Sequence, residues 1–247
     1  MIKQIPNLIT SLNLLCGCVA IIFAVSGDLV AASFFAFTGI FFDFFDGFAA
    51  RALNAQSQVG LELDSLADVV TSGVVPGIVM LQLLSESFTG HTMDIANVTS
   101  DLGWNNSIVG YLPFIGLLIT VASAYRLAKF NVDTRQTSSF IGLPTPANTL
   151  LILSFPLILT FQNITSIEDV ILNHWFLIGI TLLSCVLLNA EIPLFAFKFK
   201  TWGFKENAIK YIFLIVAIAL IALLKFIAIP IILLLYISIS LVVKPKS

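Results

Sequence analysis

The sequence predicts an all-α, polytopic transmembrane bundle of about eight helices with both termini in the cytoplasm. Three observations carry that expectation: a very apolar composition, a series of apolar runs near twenty residues long, and a one-sided distribution of Lys and Arg. Of 247 residues, 58% are hydrophobic and 11% charged, whereas a soluble domain carries about 25% charged and 45–50% apolar residues. The mean hydropathy is +1.03. This excludes a water-soluble fold and a disordered chain. The net charge of −2 leaves no basic surface for a polyanion, so no nucleic-acid partner is expected.

Each element follows from where charge interrupts the apolar sequence, because a helix needs about 20 apolar residues to cross roughly 30 Å of hydrocarbon. Residues 4–27 form the first run. Residues 29–50 form the second, broken by two aspartates, and 60–85 the third, interrupted near its start. Residues 102–125 are clean. The run 136–167 is long, and Pro144 and Pro146 place its helix start near Ala147, since proline is tolerated in a first turn. Residues 170–190 form the sixth span. Residues 211–224 and 226–243 flank Lys225 and read as a tight hairpin. The six-helix core is assigned to 1–190, and the cytoplasmic segment with the hairpin to 191–247. Cys16, Cys18 and Cys185 lie inside apolar runs without the second Cys pair or the His of a zinc site, and read as packing residues.

Orientation follows the bases. With the N-terminus in the cytoplasm, eight alternating spans put Lys3, Arg51, Arg126, Lys129, Arg135, Lys198, Lys200, Lys205, Lys210, Lys244 and Lys246 on the cytoplasmic side and only Lys225 outside. His91 and His174 then face outward and are given no catalytic role. The sequons at Asn97, Asn105 and Asn163 fall in outer loops.

Against that background, Asp43, Asp46, Asp64 and Asp68 stand out. A charge at the bilayer centre costs about 2.5–3.5 kcal/mol on insertion scales, so four aspartates within 26 residues need a reason. Asp43 and Asp46 are one helical turn apart, as are Asp64 and Asp68, with Gly60 a turn earlier on the same face. Two helices side by side would bring four carboxylates together. Clustered carboxylates bind cations, and hard oxygen donors suit Mg²⁺, Mn²⁺ or Ca²⁺. Two such ions about 3.5–4 Å apart make a site for phosphoryl chemistry. Gly47 and Gly60 clear space beside the acids, Arg51 can hold a phosphate bidentately, and Ser57 offers a hydroxyl in the intervening turn. The plainer reading is an acidic surface turn with Arg51 as counter-ion.

The complete string, Asp43-x2-Asp46-Gly47-x2-Ala50-Arg51-x8-Gly60-x3-Asp64-x3-Asp68, resembles the signature of the CDP-alcohol phosphatidyltransferase family at every fixed position. The resemblance implies a membrane enzyme using two divalent cations, Mg²⁺ or Mn²⁺, with Asp43 and Asp64 bridging both, Asp46 completing one and Asp68 the other. It further implies that Gly47, Arg51 and Ser57 contact the CDP-lipid, that Asp68 is the general base, and that the protein is a homodimer.

Three other stretches resemble the phosphatidylserine synthase branch: Ile5–Asn13, Arg126–Asn131 and Gly142–Asn148. That branch implies transfer of a phosphatidyl group from CDP-diacylglycerol to L-serine with release of CMP, in a bacterial plasma (inner) membrane with the site facing the cytoplasm. Asn7 and Thr10 read either as caps of the first helix or, as the resemblance implies, as contacts to CDP. Serine brings a carboxylate that needs a cation, and Arg126, Lys129 and Arg135 are the cytoplasmic candidates; alternatively they enforce topology or bind lipid head groups. The rival functions are the same chemistry with another acceptor, such as glycerol 3-phosphate or inositol phosphate, and a cation transporter, whose acids usually lie nearer the midplane.

Overall fold

In a computed structural model, which describes residues 4–94, 108–133, 139–195 and 203–242, the chain is a bundle of helices. α1 (Ile5–Val25) opens with Pro6 in its first turn. It buries a stripe of small and polar residues, Pro6, Thr10, Asn13, Gly17, Ala20 and Ala24, and exposes Leu8, Leu15 and Ile22 on the opposite face. Asp28 then caps α2 (Leu29–Ala52) by accepting from the amide of Ala31 at 2.9 Å. α2 buries Ala32, Ser33, Ala36, Gly39 and Asp46, while Phe34, Phe41, Phe44 and Phe48 are exposed, the pattern of a helix with lipid on one side. α1 and α2 pack on each other and on α3 (Gln58–Thr89), the most deeply buried of the spans.

α3 is not a uniform α-helix. Between Asp68 and Val75 it widens into a π-turn, Val69–Val74. The reason lies in the sequence: Pro76 has no N–H to give the carbonyl of Ser72. Side chains from neighbouring helices serve the loosened carbonyls, with Thr149 Oγ1 donating to Ser72 O and Thr120 Oγ1 to Gly73 O, both at 3.0 Å. The same turn is where three helices meet most closely. A Cβ at Gly39 would lie 2.8 Å from Thr71 Cγ2 and 2.9 Å from Asn13 Oδ1, and one at Gly17 would run into Thr71. Only glycine allows this approach.

α4 (Gly110–Val132) begins as 3₁₀ helix and runs seven residues beyond its expected end at 125; its expected start at 102 lies outside the described residues. α5 (Thr145–Phe161) starts at Thr145, with Pro146 in its first turn. The expected single span 170–190 is instead two helices, α6 (Thr165–Ile171) and α7 (His174–Asn189), bent by 60°. The break is a capping event: Asn173 Oδ1 accepts from the amides of Trp175 and Phe176 at 2.9 and 3.3 Å. α8 (Phe204–Leu224) starts before the expected residue 211 and pairs with α9 (Ala228–Val242). Phe213 and Tyr236, on opposite sides of Lys225, bring their ring centroids to 6.0 Å. Gln162 clamps its turn, donating to Leu224 O at 2.9 Å and accepting from the amide of Ile227 at 3.0 Å.

Among the described residues five helical stretches are long and apolar enough to cross a membrane, six with the bent pair, and the last of them (Asn207–Val242) is the hairpin itself. α5 is a shorter apolar helix. The protein is thus an all-α polytopic bundle, with one local addition: β1 (Ser139–Ile141) and β2 (Pro193–Phe195) form a three-residue antiparallel ladder with Phe140 opposite Leu194. It ties the entry of α5 to the exit of α7. Of the three sequons, Asn163 follows α5 at φ 42°, while Asn97 and Asn105 lie outside the described residues. His174 stacks on Phe88, ring centroids 4.9 Å apart.

Candidate active site

The turn between α2 and α3 builds the site. α2 ends in a Schellman motif: Ala55 donates to Ala50 O at 2.9 Å, Asn54 donates to Arg51 O at 3.3 Å, and Asn54 takes the left-handed conformation at φ 48°. Two residues later Ser57 caps α3, accepting from the amide of Gly60 at 3.0 Å. This short reversal lays the two acidic helix segments side by side, with Asp43 and Asp68 about 14 and 15 Å along their helices from the turn at 1.5 Å per residue.

Three carboxylates converge. One oxygen each from Asp43, Asp64 and Asp68 lies within 4.8 Å of the others. Asp46, the fourth, is outside that trio and buried, and its Oδ2 accepts from Thr10 Oγ1 at 2.6 Å. Asp68, 9% exposed, receives a long hydrogen bond from Asn13 Nδ2 at 3.5 Å. Asp64 Oδ1 is buried and has no hydrogen-bond partner among the described residues. Anionic oxygens buried this close repel one another, and are tolerated when they take up protons or when positive charge lies among them. The donor set is oxygen throughout, so the residues present fit hard divalent cations.

Beside the trio opens a cavity of about 480 Å³, lined among others by Asn7, Thr10, Asp46, Gly47, Arg51 and Ser57. A Cβ at Gly47 would meet nothing closer than Arg51 Nη1 at 3.7 Å, so the glycine leaves its backbone open to the cavity. Arg51 is exposed at the mouth. Gly60 is tighter: a Cβ there would sit 3.0 Å from Asn7 Oδ1 and 3.1 Å from Ser57 Oγ.

The reading of Asn7 and Thr10 as caps does not hold. Gln4 is the cap residue of α1 and its side chain makes no capping bond. Asn7 donates to Gln4 Oε1 at 3.3 Å. Thr10 lies farther along, in the buried stripe, where its hydroxyl reaches Pro6 O at 3.1 Å as well as Asp46. Both belong to the cavity wall because the stripe of α1 faces the acidic helices.

The bases separate. Arg126 is buried, its Nη2 donates to Gly142 O at 3.5 Å, and its Nε has no partner among the described residues. Lys129 instead points to Glu191, Nζ to Oε1 3.3 Å. Arg135 lies outside the described residues. Lining residues that sequence reasoning passed over include Gln56 and Gln58 in the cavity and Asn13 behind Asp68. Asn13 was open to detection, because Pro6, Thr10, Asn13 and Gly17 follow one helical face. So was Asn131, whose Nδ2 donates to Ser65 Oγ at 2.9 Å and fixes α3 to α4 one residue from Asp64.

Comparison with known proteins gives a consistent picture. The profile of the CDP-alcohol phosphatidyltransferase family matches residues 3–186. CDP-diacylglycerol–serine O-phosphatidyltransferase of Bacillus subtilis is 40% identical over 159 residues, covering 62% of this chain and 76% of that protein. The protein of the same name from Helicobacter pylori strain 26695 is 29% identical over 213 residues, 85% of this chain and 79% of that one. Archaetidylserine synthase of Methanothermobacter thermautotrophicus is 31% identical over 153 residues, 61% and 57% of the two chains.

Proposed function

Since the chain belongs to the CDP-alcohol phosphatidyltransferase family, we propose that it transfers the phosphatidyl group of CDP-diacylglycerol to L-serine, giving phosphatidylserine and CMP. The observation that carries this reading is the placement of Asp43, Asp64 and Asp68 within 4.8 Å of one another, next to a cavity that holds Gly47 and Arg51. The serine-accepting relatives from Bacillus and Helicobacter support the choice of acceptor.

Asp43, Asp64 and Asp68 would hold two divalent cations, Mg²⁺ or Mn²⁺, together with Asp46. Such ions spread the charge of a pyrophosphate and stabilise departing CMP. The chain's own residues do the rest. Gly47 leaves backbone accessible to the diphosphate and Arg51 offers a planar fork of donors to its oxygens. Ser57, whose oxygen is engaged by the Gly60 amide, still has its proton to give. Asn7 and Thr10 close the α1 side of the cavity around the nucleotide. Asp68 accepts the proton of the serine hydroxyl, with Asn13 orienting the carboxylate. The serine oxygen then bonds to the lipid-bearing phosphorus as the bond from that phosphorus to the CMP oxygen breaks. A positioned base of this kind contributes about 10²–10⁴-fold. Arg126 is the buried cation on the acceptor side and would face the serine carboxylate, while Lys129 is engaged by Glu191.

We further propose that the site faces the cytoplasm, which the distribution of Lys and Arg supports, that the membrane is a bacterial plasma membrane, and that the protein acts as a homodimer. Purified protein in detergent, given CDP-diacylglycerol and Mn²⁺, should release CMP in proportion to serine and form phosphatidylserine. Release with glycerol 3-phosphate but not with serine would overturn the acceptor. Uptake of Mn²⁺ into vesicles without CMP release would favour a transporter.

A further inference from the structure

A second, much smaller cavity lies near the C-terminal ends of α4 and α7. It measures about 10 Å³ and is lined by Arg126, Lys129, Ile141, Leu188, Asn189 and Ala190, about the room that one water needs. Two polar atoms of its lining residues are buried with no hydrogen-bond partner among the described residues: Arg126 Nε, a donor, and Asn189 Oδ1, an acceptor. Arg126 is only 7% exposed, so bulk water does not satisfy it. Lys129, the other polar side chain of the wall, reaches out to Glu191 at 3.3 Å.

The orientation of the amide is set by its other end. Asn189 Nδ2 donates to Ala122 O on α4 and to Cys185 O on its own helix, both at 3.2 Å. Two carbonyls on one end identify it as the nitrogen, which leaves Oδ1 as the end without a partner. The depth of Arg126 follows from the packing of α4 on α3. Asn131 donates to Ser65 at 2.9 Å, and Ser123 Cβ would lie 3.3 Å from a Cβ at Gly73. The two helices therefore run antiparallel, with Arg126 level with Val70. At 1.5 Å per residue that is about 3 Å along the axis from Asp68.

A donor and an acceptor without partners, beside a cavity of one-water size, complement each other: a single water accepts from Arg126 Nε and donates to Asn189 Oδ1. We propose that Asn189, acting through one bridging water, is the positioning residue that fixes the Arg126 guanidinium for the carboxylate of the acceptor. Arg126 is otherwise held by one long bond, Nη2 to Gly142 O at 3.5 Å. A second hold at Nε fixes the plane of the group, and a planar fork must be fixed to meet a carboxylate with two hydrogen bonds. This rests on the proposed serine transfer, in which Arg126 faces the serine carboxylate. It gives the end of α7, which touches neither the acidic trio nor the larger cavity, a part in choosing the acceptor.

The test is steady-state kinetics on the detergent-solubilised protein with serine and serine methyl ester as acceptors. Asn189→Leu keeps the size of the side chain and removes its polar atoms. It should raise the KM for serine about 3- to 10-fold, with the KM for CDP-diacylglycerol within twofold. In an Arg126→Lys background, where the Nε donor is already gone, the same change should have no further effect on serine, the non-additivity expected of two residues that act as a unit. Asn189→Asp places an anion beside Arg126 that competes with the serine carboxylate. It should raise the serine KM at least about tenfold and lower the preference for serine over its methyl ester, and it decides the matter if Asn189→Leu does not fold. A serine KM within twofold of wild type in both Asn189 variants, an equal rise in both KM values, or full additivity with Arg126→Lys would overturn the assignment. A wild-type protein without serine-supported CMP release would sink the transfer reading itself, a result distinct from an active wild type with indifferent variants.

Discussion

Thr10→Val is the sharpest perturbation of the site that leaves its carboxylates in place. Valine keeps the shape of threonine and removes one hydroxyl. In the protein that hydroxyl lies 2.6 Å from Asp46 Oδ2, and both residues are buried, 3% and 5% exposed. Hydrogen bonds to charged groups contribute about 1.5–3 kcal/mol. If the bond serves to aim Asp46, its loss appears as misplacement of the one carboxylate that stands outside the trio, and about 1.4 kcal/mol per tenfold converts it to a loss of roughly 10- to 150-fold in kcat/KM. The assay is CMP release across a Mn²⁺ titration, with the melting temperature measured in parallel. The Val variant should need more Mn²⁺ for half-maximal rate, and Thr10→Ser, which restores the hydroxyl, should recover most of the activity. A Val variant within twofold of wild type at every Mn²⁺ concentration would refute the orienting role of Thr10.

Other perturbations separate stability from function. Asp43→Asn should lower activity by more than about 10³-fold yet raise the melting temperature in metal-free buffer, because one of three mutually repelling carboxylates is gone; a lower melting temperature would contradict the repulsion. Gly39→Ala should destabilise the fold, since its Cβ would lie 2.8 Å from Thr71 and 2.9 Å from Asn13. Gly179→Ala, with nothing within 4 Å, should instead stabilise by about 0.5–1 kcal/mol; equal effects on thermal unfolding would refute the close-approach argument. Pro76→Ala gives the Ser72 carbonyl back its donor and should favour an ordinary α-turn, rotating Asp68 away from its partners. Activity should fall while the melting temperature does not.

Much of this was written in the sequence because lipid makes charge scarce. Asp43, Asp46, Asp64 and Asp68 at helical spacing announced an acidic cluster, and α2 and α3 do bring three of them together. That Asp46 stands apart was not legible, since it depends on a hydroxyl from α1. Apolar composition located the spans but hid their internal breaks, because a helix in lipid is apolar on most faces. The bend at Asn173 and the π-turn before Val75 are both marked by local chemistry, an Asn that caps and a Pro that withholds an N–H, and hydropathy is blind to either. The β1–β2 ladder is three residues a side and has no periodicity to betray it. Asn13 was visible as part of the stripe on α1, but its partner, Asp68, is 55 residues away and only the packing of α1 against α3 joins them.

The most direct test is incorporation of labelled serine into extractable lipid by the purified protein with CDP-diacylglycerol and Mn²⁺, alongside Asp68→Asn. Serine transfer with Asp68 as base predicts labelled phosphatidylserine matched by released CMP, dependence on Mn²⁺, and a fall of about 10²–10⁴-fold in the Asp68 variant. Label in lipid at an undiminished rate in Asp68→Asn, or none in the wild type while glycerol 3-phosphate supports CMP release, would contradict it.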